Sequence, residues 1–159
     1  LLPTAAFTQQ LSVKAGLWEH RMELKSDSGR LELALETVRA QMAQLPPAQR
    51  QMMEGMLTQQ GIKLDIANQT FQNCVTEEEA AAGEFKFAEE GGCTYTSIRN
   101  EGTTSYVSYV CAQGQGDLAM HNGSDYTGNS TMTLDFNGTT ENVSATHSGS
   151  WLGASCPAF

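Results

Sequence analysis

Apolar and polar residues alternate one by one along most of this chain. In 17–25, Trp18, His20, Met22 and Leu24 share one face, and Leu17, Glu19, Arg21, Glu23 and Lys25 share the other. A period of two marks a strand, with the Trp/Met/Leu face turned inward. Ser26-Asp27-Ser28-Gly29 breaks it. The period then changes. Leu31, Leu35, Val38, Met42 and Leu45 step by three or four, which predicts an amphipathic helix that Pro46-Pro47 ends. Pro47 suits the first turn of a second helix, with Ala48, Met52, Met56 and Gln59 on one face, Met53 and Leu57 beside it, and Gly61 as its stop. Residues 30–60 thus read as an αα-hairpin inserted between strands.

Period two resumes at Ile62, Leu64 and Ile66 and again over 69–75. Thr76 and Glu79 have the spacing of a capping box and start a short helix. Further strands are expected at 93–99, 104–112, 117–121, 126–136 and 140–148. Breaks fall at Glu101-Gly102, Gly114-Gln115-Gly116, Asn122-Gly123 and Asn137-Gly138. Gly123-Ser124-Asp125 and Gly149-Ser150-Trp151 read as turns. Residues 1–15 read as a flexible arm in which Phe7, Leu11 and Val13 are the residues suited to docking on the core. The prediction is a mainly β fold: a strongly bent antiparallel meander or small barrel of about eight strands. It is one β domain over 16–159, with the helical hairpin inserted at 30–60.

The four cysteines are Cys74, Cys93, Cys111 and Cys156. A three-residue loop at Glu101-Gly102-Thr103 sets Cys93 directly opposite Cys111, close enough for a disulfide. By elimination, Cys74 meets Cys156. A metal site is the rival use of four cysteines, but no CxxC or HxxxC spacing supports it. Disulfides imply an oxidising compartment, so the chain is expected to be periplasmic or secreted, with a secretion signal removed before Leu1.

The formal net charge is −9 and only 17% of residues are charged. That balance argues against nucleic acid and against an anionic membrane surface, both of which need a basic face. No segment approaches the roughly 18 apolar residues of a membrane-spanning helix.

Several short motifs in order resemble a known family. Gly16-Leu17-Trp18-Glu19, the run from Met42 to Arg50 followed by Gln60-Gly61-Ile62, Cys74-Val75-Thr76, Tyr126-Thr127-Gly128 and Leu152-Gly153-Ala154-Ser155-Cys156 together resemble the bacterial exported family catalogued as domain of unknown function 3617. The resemblance covers about 16–156. It implies a periplasmic or lipid-anchored protein and carries no established activity. Members often have a basic residue before the final Leu-Gly or Ile-Gly, where this chain has Trp151.

No nucleophile–base pair is identifiable and no Gly-x-Ser-x-Gly elbow occurs, so a non-enzymatic protein without cofactor is expected. Glu77-Glu78-Glu79 reads as a helix start. The Asn-x-Ser/Thr sequons at Asn68, Asn122, Asn129, Asn137 and Asn142 read as chance in a Ser/Thr-rich chain. The leading reading is an exported binding module for an apolar small molecule or an envelope protein. The residues to line such a site are Trp18, Met22, Tyr95 and Tyr109, in a void of the sheet, and Met42, Met52 and Met56, on the helices. The alternatives are a soft-metal protein using His20, His121, His147, Met22, Met120 and Met132, or a purely structural envelope factor.

Overall fold

The computed structural model describes residues 11–65, 68–83 and 92–157; Phe7 and Ile66 lie outside them. Among the described residues, eight strands form one antiparallel sheet: β1 (Gly16–Ser26), β2 (Ile62–Asp65), β3 (Thr70–Val75), β4 (Thr94–Glu101), β5 (Thr104–Cys111), β6 (Gly114–His121), β7 (Asp125–Phe136) and β8 (Thr139–Gly153). Their order is β2-β3-β1-β8-β7-β6-β5-β4. The edges, β2 and β4, do not pair with each other, so the sheet is a bent open one and not the closed barrel. The helices are α1 (Arg30–Ala43), α2 (Pro47–Gln59) and α3 (Glu77–Ala82).

Inward-facing residues explain the bend. Trp18 of β1 and Val75 of β3 share one buried cluster with Val107 of β5, Met120 of β6 and Tyr126 of β7. These strands span most of the sheet, so it must curl to bring them together. Leu11 and Val13 complete the cluster from outside the sheet. Residues 11–15, read in the sequence as part of an arm, are tied down here. Lys14 N–H donates to the Gly123 carbonyl at 3.0 Å. The indoles of Trp18 and Trp151 donate to the carbonyls of Lys14 and Ala15, at 2.8 and 3.0 Å. The capping box of α3 forms as its spacing predicts, and Gly83 closes that helix in the left-handed conformation.

The two long helices are a crossover. β1 and β2 both run antiparallel to β3, which lies between them. They are therefore parallel to each other, and parallel strands need a long connection. Asn73 faces both Trp18 and Ile62. The chain must thus travel back from Ser26 to the level of Trp18, eight residues or about 26 Å. Residues 27–61 make that return, with α1 against β1 and α2 against β2. The start is anchored. Glu32 accepts from the Ser26 backbone N–H at 2.7 Å and hydroxyl at 2.6 Å, and the Ser28 hydroxyl donates to buried Glu141. The bonds from Ser26 hold the Glu32 carboxyl below its ordinary pKa. Beyond that anchor the helices bury little. Leu31 is the buried residue of α1, and α2 has none.

Both disulfides form as expected: Cys74–Cys156 and Cys93–Cys111, the latter with its Cα atoms 3.9 Å apart. The register argument holds for a different reason. The β4–β5 turn has two residues, since Glu101 faces Thr104. That register alone would set Cys93 against Ala112. An irregularity between Tyr95 and Ser97 takes up one residue, so Thr94 faces Val110, and the cysteines meet. The Cys74–Cys156 bridge ties β3 to the segment after β8, across β1.

Two readings of glycine are corrected. Gly114 and Gly116 lie inside β6, with the turn at Ala112-Gln113. Gly149-Ser150-Trp151 lies inside β8, not in a turn. The reason is packing. A Cβ on Gly116 would overlap the Tyr109 ring, on Gly128 the His147 ring, and on Gly149 the Tyr126 ring. Each pair faces across neighbouring strands. The missing side chains let three rings lie against the backbone. By contrast, Asn137-Gly138 is the two-residue hairpin expected, with φ of 47° and 82°.

Gly149→Ala should therefore destabilise the fold by about 1–3 kcal/mol through overpacking. Gly55→Ala serves as its counterpart, because Gly55 of α2 has open space around its Cβ position. It should stabilise by up to about 1 kcal/mol through helix propensity. Urea unfolding of the two variants checks the opposite signs.

Candidate functional site

Two features of the inward face stand out, one closed and one open. The closed one is a row of rings. Trp18 and His20 stack in sequence along β1, with centroids 6.2 Å apart, and His20 lies against Phe71 of β3 at 4.9 Å. His20 Nε2 is 2.7 Å from Asn73 Oδ1, and Nδ1 is 2.7 Å from the Tyr126 hydroxyl. An amide oxygen only accepts, so Nε2 carries the proton and Nδ1 accepts from Tyr126. This is the neutral tautomer. Farther along, the Tyr109 hydroxyl bonds His147 Nε2 at 3.0 Å, and the His147 ring tilts against Tyr126.

Burial sets the protonation of this row. It lowers the His20 pKa, although the Asn73 bond and the Glu19 carboxylate pull the other way. It also lowers that of His147. It raises the phenol of Tyr126 far above its ordinary range, with Tyr109 adding to the effect, and raises Tyr109 likewise. All four groups are thus held neutral and hydrogen-bonded. The row is a rigid polar seam in an apolar core, and it fixes which protons sit where.

The open feature is a groove of about 650 Å³ between α1 and the β2–β3–β1 end of the sheet. Its floor is Met22, Leu24, Leu64 and Phe71, and its wall is Leu35, Val38 and Met42 of α1. The helical stripe read from the sequence builds that wall, and the inward face of β1 and β2 builds the floor. The side chains are only partly covered: Met22 is 44% exposed and Val38 51%.

Of the residues the sequence singled out for binding, the structure brings Met22 and Met42 together here. Trp18 is fully buried in the core instead. Tyr95 packs against that core and donates to the Gly83 carbonyl at 3.1 Å, and Tyr109 is engaged by His147. Met52 and Met56 project from α2 outside the groove. Leu24, Leu35, Val38, Leu64 and Phe71 complete the site. Periodicity had already assigned the first four to inward faces, but nothing local told a filled face from an open one. Among the residues of the soft-metal reading, Met120 is buried opposite Tyr126. His121 shares a hydrogen bond with the Thr104 hydroxyl at 3.2 Å. Met132 faces Gly114, six residues along β6 from Met120, or about 20 Å. Met22 and His147 face each other across β1 and β8. Among the described residues, no three His, Cys, Asp or Glu side chains are grouped to hold a metal.

Residues 13–156 match the model of a family described as a protein of unknown function, DUF3617. The chain belongs to that family. It is 28% identical over 105 residues to a Pseudomonas putida protein described as an uncharacterized protein in the lpd-3 5'region, covering 65% of this chain and 72% of the relative. No solved structure matches. In this DUF3617 chain the motif residues have concrete tasks. A Cβ on Gly16 would collide with the Gly153 carbonyl. Trp18 and Val75 are core, Thr76 caps α3, Gly128 seats His147, and Cys74 and Cys156 close a disulfide. Lys14 lies over the Trp151 indole ring, 4.8 Å from its centroid.

The buried imidazoles predict a pH dependence. In the folded chain His20 and His147 protonate below the ordinary value of 6.5, whereas the unfolded chain takes up those protons near pH ~6.5. The unfolded state binds more protons between the two, so stability falls as pH drops below about 6.5 and levels off below the folded pKa values. Urea midpoints from about pH 8 to about pH 5 should show this fall, and His147→Gln should make it shallower. An equal slope in the variant would count against His147 as a contributor.

Proposed function

We propose that this DUF3617 protein is an exported, non-enzymatic binding module, and that the groove beneath α1 holds an apolar small molecule. The observation that carries this reading is a contiguous set of apolar side chains left open in a concave place. Met22, Leu24, Leu64 and Phe71 face Leu35, Val38 and Met42 across about 650 Å³, a size suited to a small ligand. Two disulfides suit an oxidising compartment, the periplasm or the exterior. Among the described residues no helix is long and apolar enough to cross a membrane. The exposed Met52 and Met56 of α2 favour a second reading, in which an envelope protein docks on the helices.

The two readings separate by substitution. Val38→Glu places a charge in the groove, while Met52→Glu, at a residue 69% exposed, lies outside it. N-phenyl-1-naphthylamine, an uncharged fluorophore, should brighten on binding the intact chain. Val38→Glu should weaken that binding about ten-fold, the equivalent of roughly half a buried side chain, and Met52→Glu should leave it unchanged. Thermal melts of both variants should match the parent. Equal binding by Val38→Glu would remove the groove reading. Loss in Met52→Glu would move the site to the outer face of α2.

A further inference from the structure

The fold divides the sulfur atoms of this chain into closed and open ones. All four cysteines are joined in disulfides. The remaining sulfurs are the thioethers of seven methionines, and their surroundings differ. Met120 lies in the core and is 1% exposed. Met42, Met53 and Met132 are half-buried. Met22 forms part of the groove floor. Met52 and Met56 are 69% and 63% exposed, and their spacing of four makes them neighbours on one face of α2. That helix rests on β2 and has no buried residue. Met53 and Leu57, one position further on, are the more covered side. The return leg has to reach β2, and the face that carries Met52 and Met56 is left to water. An oxygen added to Met120 would force a polar group into the core. The same oxygen on Met52 or Met56 would enter solvent and displace no packing partner.

We propose that Met52 and Met56 form a reversible oxidation site, at which peroxides convert the two thioethers to sulfoxides and a dithiol-driven methionine sulfoxide reductase restores them. In the forward step peroxide gives an oxygen to the sulfur. The S–O bond forms as the O–O bond breaks, sulfur is oxidised by two electrons, and water leaves. In the return step the S–O bond breaks, the oxygen leaves as water, and the dithiol closes to a disulfide. With every cysteine already oxidised, the chain offers peroxide no thiol, so its exposed thioethers are the first sulfurs met. The pair lies outside the groove, and the proposal is independent of what the groove binds. Its place on a helix that buries nothing lets the oxidised and reduced forms share one fold.

The test exposes the full disulfide-bonded chain to excess hydrogen peroxide, and peptide mapping by mass spectrometry follows each methionine in time. Met52 and Met56 should gain oxygen first and at similar rates, with Met22 behind them. Met120 should react at least about ten-fold more slowly than the pair, since its sulfur is reached only when the core opens. With the pair oxidised and the other methionines intact, the thermal melt should match that of the untreated chain. Methionine sulfoxide reductases for both sulfoxide epimers, driven by thioredoxin, should then restore both thioethers in the folded chain. In the double variant Met52→Leu, Met56→Leu the fast oxygen uptake should vanish while the melt stays with the parent. The proposal is overturned if Met22 or Met120 keeps pace with the pair, or if oxidation of the pair alone lowers the melt. It is also overturned if the reductases leave the sulfoxides in place, or if the leucine variant retains the fast uptake.

Discussion

Three aromatic rings seated on three glycines hold this sheet in its shape. Tyr109, Tyr126 and His147 each face a glycine on the next strand, and a Cβ there would occupy the space of the ring. Glycine in a strand interior is normally a weakness, since it lacks a side chain to pack and gains flexibility when unfolded. Here the cross-strand ring supplies the missing contact. The rings also bring polar tips into the interior, and those tips satisfy one another. Tyr126 bonds His20, His20 bonds Asn73, and Tyr109 bonds His147. A buried polar group left alone would cost about 1–3 kcal/mol, so the seam is stable only as a complete set. That requirement links β3, β1, β8, β7 and β5 through side chains as well as through the backbone ladder.

This row explains why part of the fold was legible and part was not. Strand periodicity, the capping box at Thr76 and Glu79 and the Asn137-Gly138 turn are local signals, and the structure agrees with each. Gly114, Gly116 and Gly149 look like turn residues to any local reading, because what justifies them is a ring on another strand. The pairing of Cys93 with Cys111 came from a turn one residue too long, compensated by an irregularity near Thr96. Hairpin length and bulges offset each other in register, so the ends of a hairpin can be right when its middle is shifted. The Cys74–Cys156 pair followed by elimination, which needs no geometry.

Strand order was the larger loss. Period two says which face a residue takes, but not which strand lies beside which. The sequence read the helices as a hairpin inserted between strands of a meander. Placing β3 between β1 and β2 turns them into the return leg of a parallel crossover. That topology follows from long-range pairing that no motif announces. It also changes what the helices do, since a crossover must cover distance before it covers core.

The crossover geometry accounts for the groove. At the Trp18 end, Leu11 and Val13 fill the concavity, and the indole bonds to Lys14 and Ala15 lock them there. Past His147 the ring row stops, and the inward face of β1 continues as Met22 and Leu24. Among the described residues, the element that passes over this region is α1, fixed at its start through Ser26, Ser28 and Leu31. From that anchor it must run back about 26 Å along β1 to reach β2. Its course is therefore dictated by where β2 begins, not by close contact with Met22. Leu35, Val38 and Met42 face the sheet without closing on it, and an apolar gap results. A gap that follows from chain geometry needs no ligand to exist. Charged side chains of both signs rim that apolar gap, Lys25 and Arg39 beside Glu23, Glu32, Glu36 and Asp65, and such groups keep their heads in water while their stems border the apolar floor.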